Sequence, residues 1–232
     1  MARFSLLGKS SATRIAEADS VAVIGLGRFG SALALELMET GVEVLGIDGR
    51  EDIVQNHNGL LTHVVRADST REETLRQLSV PDFDRVVVAI GSDIQANILT
   101  SSLLLRLGIP NVWAKAVTDP HGIILEQLGV HHIVYPEKDM GRRVAHLVRG
   151  AMDDYLELGD DFALVKTTAP EALLGRPIGE SNIRKEHGVT VTAYHRRGEG
   201  WTAISLDTVL QKGDIILIAG LPNRVEEYSQ LR

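Results

Sequence analysis

The sequence predicts an α/β protein. Its main body is a doubly wound parallel sheet, followed by a smaller α+β module. Three observations carry this reading. Short runs rich in valine and isoleucine alternate with helical stretches as far as residue 136. A glycine-rich turn, Gly25-Leu26-Gly27-Arg28-Phe29-Gly30, joins the first run to the first helix. The alternation then breaks near Gly159-Asp160-Asp161, and the chain changes character.

The first unit is the most informative. Val21-Ala22-Val23-Ile24 reads as a strand, the G-x-G-x-x-G string as a turn, and Phe29 to Met38 as a helix stopped by Thr40-Gly41. A second strand ends on Asp48, 18 residues after Gly30. Strand, glycine turn, helix, strand and acid in this order make a Rossmann-like nucleotide-binding unit. Gly25 permits the tight turn, Gly27 lets the backbone approach a phosphate, and Gly30 lets helix and strand pack closely. The helix start offers free N–H groups to an anion. Asp48 can accept hydrogen bonds from ribose hydroxyls.

Strands are expected at 21–25, 43–47, 62–66, 85–90, 112–116 and 132–135, mostly unbroken apolar runs suited to burial on both faces. Ser69, followed by Glu72 and Glu73, reads as an N-cap with acids in the first turn. Ser92-Asp93 caps a helix from Ile94 to about Leu107, ended by Gly108-Ile109-Pro110. Asp119-Pro120 opens another that closes at Gly129. A long helix is expected from about Glu137 to Leu158. Met140, Val144, Leu147, Val148, Met152 and Tyr155 form its apolar stripe. That stripe fits either the parent sheet or a second subunit. Beyond it, strands are expected at Phe162–Thr168, Gly188–His195, Trp201–Leu206 and Asp214–Ala219, with a turn at Lys212-Gly213 and a last helix at Pro222–Tyr228. The organisation is therefore a loose tail at 1–19, a nucleotide-binding domain at 20–137, a crossover helix at 138–158 and a C-terminal domain at 159–232.

Composition removes several function classes. The 232 residues include no cysteine, which excludes disulfides, thiolate metal sites and a cysteine nucleophile. A net charge of -7 argues against a nucleic-acid polymer as partner. No apolar run approaches the ~18–20 residues of a membrane span. There is no G-x-S-x-G elbow and no acid pair with a cleft to hold it, so the chain is not read as an enzyme. His121, His131 and His132 lack metal-ligand spacing and are expected at the surface.

The remaining candidates lie where strand ends meet the ligand crevice. Arg28, inside the glycine loop, either grips a phosphate chain bidentately or is a solvated surface arginine. NAD has no terminal phosphate for it to meet, so Arg28 favours ATP or ADP over NAD(H). Asp68 and Ser69 end the third strand and are placed to contact adenine or to cap the next helix. Ile90 and Gly91 give an apolar shelf and close backbone approach. Lys115 ends the fifth strand, either on a phosphate or in a surface ion pair. Glu137 either holds a divalent cation, magnesium or calcium, beside the phosphates or supplies an acidic helix start.

Three stretches together resemble a known family. They are the loop ending Arg28-Phe29-Gly30, the run Val88-Ala89-Ile90-Gly91 with Ile94-Gln95-Ala96, and Tyr135-Pro136-Glu137-Lys138-Asp139-Met140-Gly141. The family is RCK (regulator of conductance of potassium), and within it the cytosolic regulatory subunits of bacterial Ktr and Trk potassium uptake systems. The likeness runs from about residue 20 to the end. It implies dimers, joined through the Rossmann-like domain and its crossover helix, that assemble into an octameric ring. The ring would sit in the cytoplasm, peripheral to the inner face of the membrane, on a potassium-translocating subunit that ATP opens and ADP closes. It also implies that Arg28 meets the terminal phosphates, Asp48 the ribose, Lys115 a phosphate and Glu137 a cation. In some members the C-terminal domain binds cyclic di-AMP. Arg184 matches that pattern, while Asn182 and Thr190 stand where an acid and an asparagine are usual. Two other readings are a small NAD(P)-dependent oxidoreductase and an NAD(H)-sensing regulator of a non-channel partner.

Overall fold

Valine and isoleucine runs, too short for helices and too apolar for loops, become the strands of a six-stranded parallel sheet in the computed structural model, which describes residues 20–149, 152–159 and 161–231. The tail expected at 1–19 lies outside the described residues. The strands are β1 (Ser20–Ile24), β2 (Glu43–Asp48), β3 (His63–Arg66), β4 (Arg85–Val88), β5 (Asn111–Lys115) and β6 (His132–Val134). The helices between them are α1 (Arg28–Glu39), α2 (Glu51–His57), α3 (Glu72–Gln77), α4 (Ile94–Arg106) and α5 (Asp119–Leu128).

The strand order is β3-β2-β1-β4-β5-β6, so the chain reverses direction across the sheet between β1 and β4. Both faces are buried, and alternate residues of one strand serve different layers. Val21 and Val23 pack with Leu26, Ala34 and Val44. Ala22 and Ile24 pack with Leu45, Val86, Leu104 and Leu125 on the other side.

The chain divides into two compact units, the first ending at Glu137 and the second starting at Lys138. The second contains most of α6 (Pro136–Arg149) and the strands β7 (Asp154–Glu157), β8 (Ala163–Thr168), β9 (Val189–His195), β10 (Trp201–Ala203) and β11 (Ile215–Gly220). They form an antiparallel sheet in the order β10-β9-β11-β8-β7. The short helix α7 (Ile183–His187) precedes β9, and α8 (Pro222–Ser229) lies on β8 and β11 with Val225 and Tyr228 buried. This unit has its own core, which includes Tyr155, Val165, Leu210 and Ile216.

Two local expectations are corrected. The helix read to Leu158 is described over Pro136–Arg149, and residues 154–157 are a strand instead. Met152 and Tyr155 continue the helical spacing by coincidence; they are buried in the core of the second unit. The Tyr155 ring stacks on the imidazole of His146, which is itself hydrogen-bonded to Glu226. Ser69, in turn, does not cap α3, whose N-cap position falls on Arg71. Asp68 Oδ1 accepts from both the Thr70 N–H and its hydroxyl, a local turn that delays the helix.

Candidate functional site

The sheet reversal leaves a crevice at the carboxyl ends of β1 and β4, the position where open α/β sheets bind ligands. A cavity of about 860 Å³ opens there, within the range of ~300–1,000 Å³ usual for small-molecule sites.

Its floor is the glycine loop. Gly25 adopts φ +93°, a left-handed conformation that a side chain resists, and its N–H donates to the Ile47 carbonyl. Gly27 holds the extended N-cap position of α1 and faces open space. A Cβ on Gly30 would stand 1.9 Å from the Gly25 carbonyl oxygen. Gly30 thus works behind the cavity, while Gly25 and Gly27 line it. The free N–H groups at the start of α1 look into this space.

Asp48 closes one wall. Its two carboxylate oxygens accept from the main-chain N–H groups of Leu26 and Arg50, at 2.8 and 2.9 Å. The acid expected to meet ribose therefore also fixes the glycine loop against the end of β2, with lone pairs left over for a ligand. Asp68, Ser69, Ile90 and Gly91 line the cavity as well. The Ser69 hydroxyl is buried and paired with Thr100 at 2.9 Å, while Asp68 is held below the ordinary carboxylate range by the Thr70 hydroxyl and N–H.

The charged wall consists of Arg28, Lys115 and Glu137, with the Phe29 ring beside them. Lys115 is only 8% exposed. Its ammonium lies 5.8 Å from the Phe29 ring centre and 2.5 Å from Glu137 Oε1. That hydrogen bond, helped by the Lys115 and Arg28 charges, holds the Glu137 carboxyl below its usual range. Arg28 is exposed and has no hydrogen-bond partner among the described residues. A recessed ammonium, a free guanidinium and helix N–H groups together form a receptor for several negative oxygens. Among the described residues no cluster of three or more acidic or histidine side chains could enclose a metal. A cation at Glu137 would take its other ligands from water, main-chain oxygens or a bound anion.

The histidines behave differently from one another. His131 and His132 are exposed, the first accepting from the Val112 N–H and the second stacked on Trp113 at 4.0 Å. His121, expected at the surface, is buried; its Nδ1 accepts from the Val117 N–H, and burial lowers its pKa. Two buried polar residues near the site carry no motif. His57 Nδ1–H donates to the Ile53 carbonyl, leaving Nε2 to accept from the Ser31 hydroxyl in the first turn of α1 at 2.6 Å. Asn97, in the first turn of α4, is fully buried beneath the cavity wall. The only signal for either was a polar residue at a position that must be buried.

Comparison with known proteins places the two units in known families. The TrkA-N domain family matches residues 21–136, and the TrkA-C domain family matches residues 162–231. The Ktr system potassium uptake protein C of Bacillus subtilis (strain 168) is 38% identical over 210 residues, covering 90% of this chain and 95% of that protein. The Ktr system potassium uptake protein A of Vibrio alginolyticus is 36% identical over 200 residues, covering 86% and 91%. The fold matches that of the GsuK channel bound to NAD with a TM-score of 0.65 at 18% identity, covering 92% of this chain and 39% of that one.

Proposed function

This chain belongs to the RCK family with TrkA-N and TrkA-C domains, alongside the Ktr potassium uptake proteins, and from that premise we propose that it is a nucleotide-sensing regulatory subunit of a membrane potassium transporter, favoured in its conducting state by ATP and in its closed state by ADP. One observation carries the choice of ligand. Arg28, inside the glycine loop and exposed, has no hydrogen-bond partner among the described residues and lines the cavity with the recessed Lys115, where a polyphosphate needs cations and a nicotinamide does not.

The reading assigns adenine to the shelf of Ile90 and Gly91 near Asp68, ribose to Asp48, and phosphates to the α1 start, Lys115 and Arg28. A divalent cation at Glu137 would bridge the carboxylate and phosphate oxygens. No bond is made or broken; gating is a population shift between two arrangements of the assembly. ATP and ADP can bias that equilibrium only through unequal affinity for the two arrangements. The third phosphate supplies the difference by adding charge near Arg28. No helix of the described residues is long and apolar enough to cross a membrane, and the reading assigns transport to a membrane partner. The exposed apolar residues Met140, Val144 and Val148 of α6 support a second copy of the chain as partner.

The test is a calorimetric binding panel with ATP, ADP, NADH, NAD and cyclic di-AMP, with and without Mg²⁺ or Ca²⁺. Binding of ATP and ADP in the first unit is expected. Tight binding of NADH with none of ATP would favour the NAD-sensing alternative, and no binding of any adenine compound would remove the reading.

A further inference from the structure

The inward face of α4 is polar where a buried helix face is ordinarily apolar. Asn97, Thr100 and Ser101 occupy positions i, i+3 and i+4 of one face, and all three are fully buried. Buried polar side chains persist where they satisfy other groups. The groups they satisfy here belong to the cavity walls.

The ladder between β4 and β5 ends at the pair Val88 and Ala114. Past that point the strands diverge, and main-chain carbonyls lose their ladder partners beside the cavity. Asn97 Nδ2 donates to two of them, Ile90 O at 2.8 Å and Lys115 O at 3.1 Å. Two carbonyl acceptors set the amide's orientation, with the Ser101 hydroxyl 3.5 Å from Asn97 Oδ1 on its other side. Three residues further along, the Thr100 hydroxyl meets the Ser69 hydroxyl after β3. One helix face therefore braces the ends of three strands.

The brace reaches further through packing. A Cβ at Gly25 would lie 2.9 Å from the Ile90 nitrogen, so the tight turn rests directly on the Ile90 main chain. A Cβ at Gly91 would lie 3.2 Å from Lys115 Nζ, so the Lys115 side chain runs along Gly91. Moving Ile90 moves the floor of the glycine loop; moving Lys115 moves the recessed ammonium.

We propose that Asn97 is a positioning residue of the ligand site, a buried amide that joins the ends of β4 and β5 and so fixes the Ile90 shelf and the Lys115 cation at once. It touches no ligand itself. Its effect on affinity rests on the nucleotide reading given above; its effect on local backbone order does not.

The test uses the full-length chain. Asn97→Leu keeps the branched outline in a somewhat larger side chain and removes both donors, while Asn97→Ser keeps a single short donor without overpacking the site. ADP affinity is measured by calorimetry well below the melting temperature, and amide hydrogen exchange is followed along the chain. For Asn97→Leu, ADP affinity is expected to fall about tenfold or more, as for two lost hydrogen bonds. Adenosine affinity should fall as well, though by less, because adenosine meets the shelf and not the cation. Exchange should quicken in 25–30, 90–91 and 115–116 while the rest of the sheet keeps its protection. A folded Asn97→Leu protein that binds ADP within about twofold of the parent, with those segments still protected, would overturn the proposal. Should Asn97→Leu fail to fold, Asn97→Ser decides by the same two readouts with an intermediate loss expected. If the parent chain binds no nucleotide, the nucleotide reading fails, and exchange alone decides the role of Asn97.

Discussion

The Lys115 ammonium and the Glu137 carboxylate lie 2.5 Å apart, one almost buried and the other with 62% of its side chain in solvent. The pair links the last residue of β5 to the first turn of α6. A buried lysine needs an anion close by, and here an exposed carboxylate fills that place.

Glu137→Gln separates two roles of this carboxylate. In chelator, an incoming phosphate no longer competes with it for Lys115. ADP affinity should rise by about threefold, in keeping with the modest worth of ~0.2–1 kcal/mol for an exposed pair. With Mg²⁺ present the same substitution should weaken ATP binding, because a cation ligand is lost. Titration calorimetry in both buffers reads the two signs. A fall in chelator would show that Lys115 needs the carboxylate even with phosphate present.

Arg28→Ala should weaken ATP binding more than ADP binding. A charge-assisted contact is worth about 1.5–3 kcal/mol, so ATP affinity should fall by roughly tenfold to a hundredfold and ADP affinity by less. Equal losses for the two ligands would count against the terminal phosphate as the sensed group.

Gly30→Ala places a methyl group 1.9 Å from the Gly25 carbonyl oxygen, a backbone atom that cannot swing aside. Overpacking of this kind costs about 1–3 kcal/mol. Urea denaturation should show that loss in the first unit, and nucleotide should no longer raise its melting temperature. Gly27→Ala is the control: its Cβ meets nothing, so stability should hold while any close phosphate contact suffers.

In the second unit, Arg196 donates to both oxygens of Asp214, whose side chain is 2% exposed. Asp214 also accepts from the Gln211 N–H. Asp214→Ala leaves the Arg196 guanidinium without its carboxylate and should lower the melting temperature of the second unit. The Arg196 bond, with that N–H, holds the Asp214 carboxyl below its usual range. In the unfolded chain it titrates near ~3.9. The stabilisation is therefore complete above that value and disappears as pH falls through the lower native one. Acid denaturation followed by circular dichroism should show a shallower acid limb for Asp214→Ala than for the parent.

The parallel sheet was legible almost to the residue, because Val- and Ile-rich runs between helix caps admit few other structures. Gly25, Gly27 and Asp48 were legible because spacing and chemistry agree at those positions. The end of α6 was not. Met152 and Tyr155 keep a helical period into a region that folds as a strand, and periodicity cannot register where a helix stops. Ser69 had the composition of a cap, yet its hydroxyl found Thr100 across 31 residues of sequence, a pairing that local pattern cannot show. Asn97 escaped for the same reason, since both of its acceptors are main-chain carbonyls on strand ends brought together only by the fold.

Each unit encloses a separate apolar interior, one around Ile24 and Val86 and the other around Tyr155 and Ile216. Heating should therefore melt the chain in two calorimetric steps, since cooperativity follows the extent of a shared interior. A ligand seated against Gly27 and Lys115 would delay only the step that belongs to the parallel sheet, so the thermogram itself reports which half of the chain has been engaged.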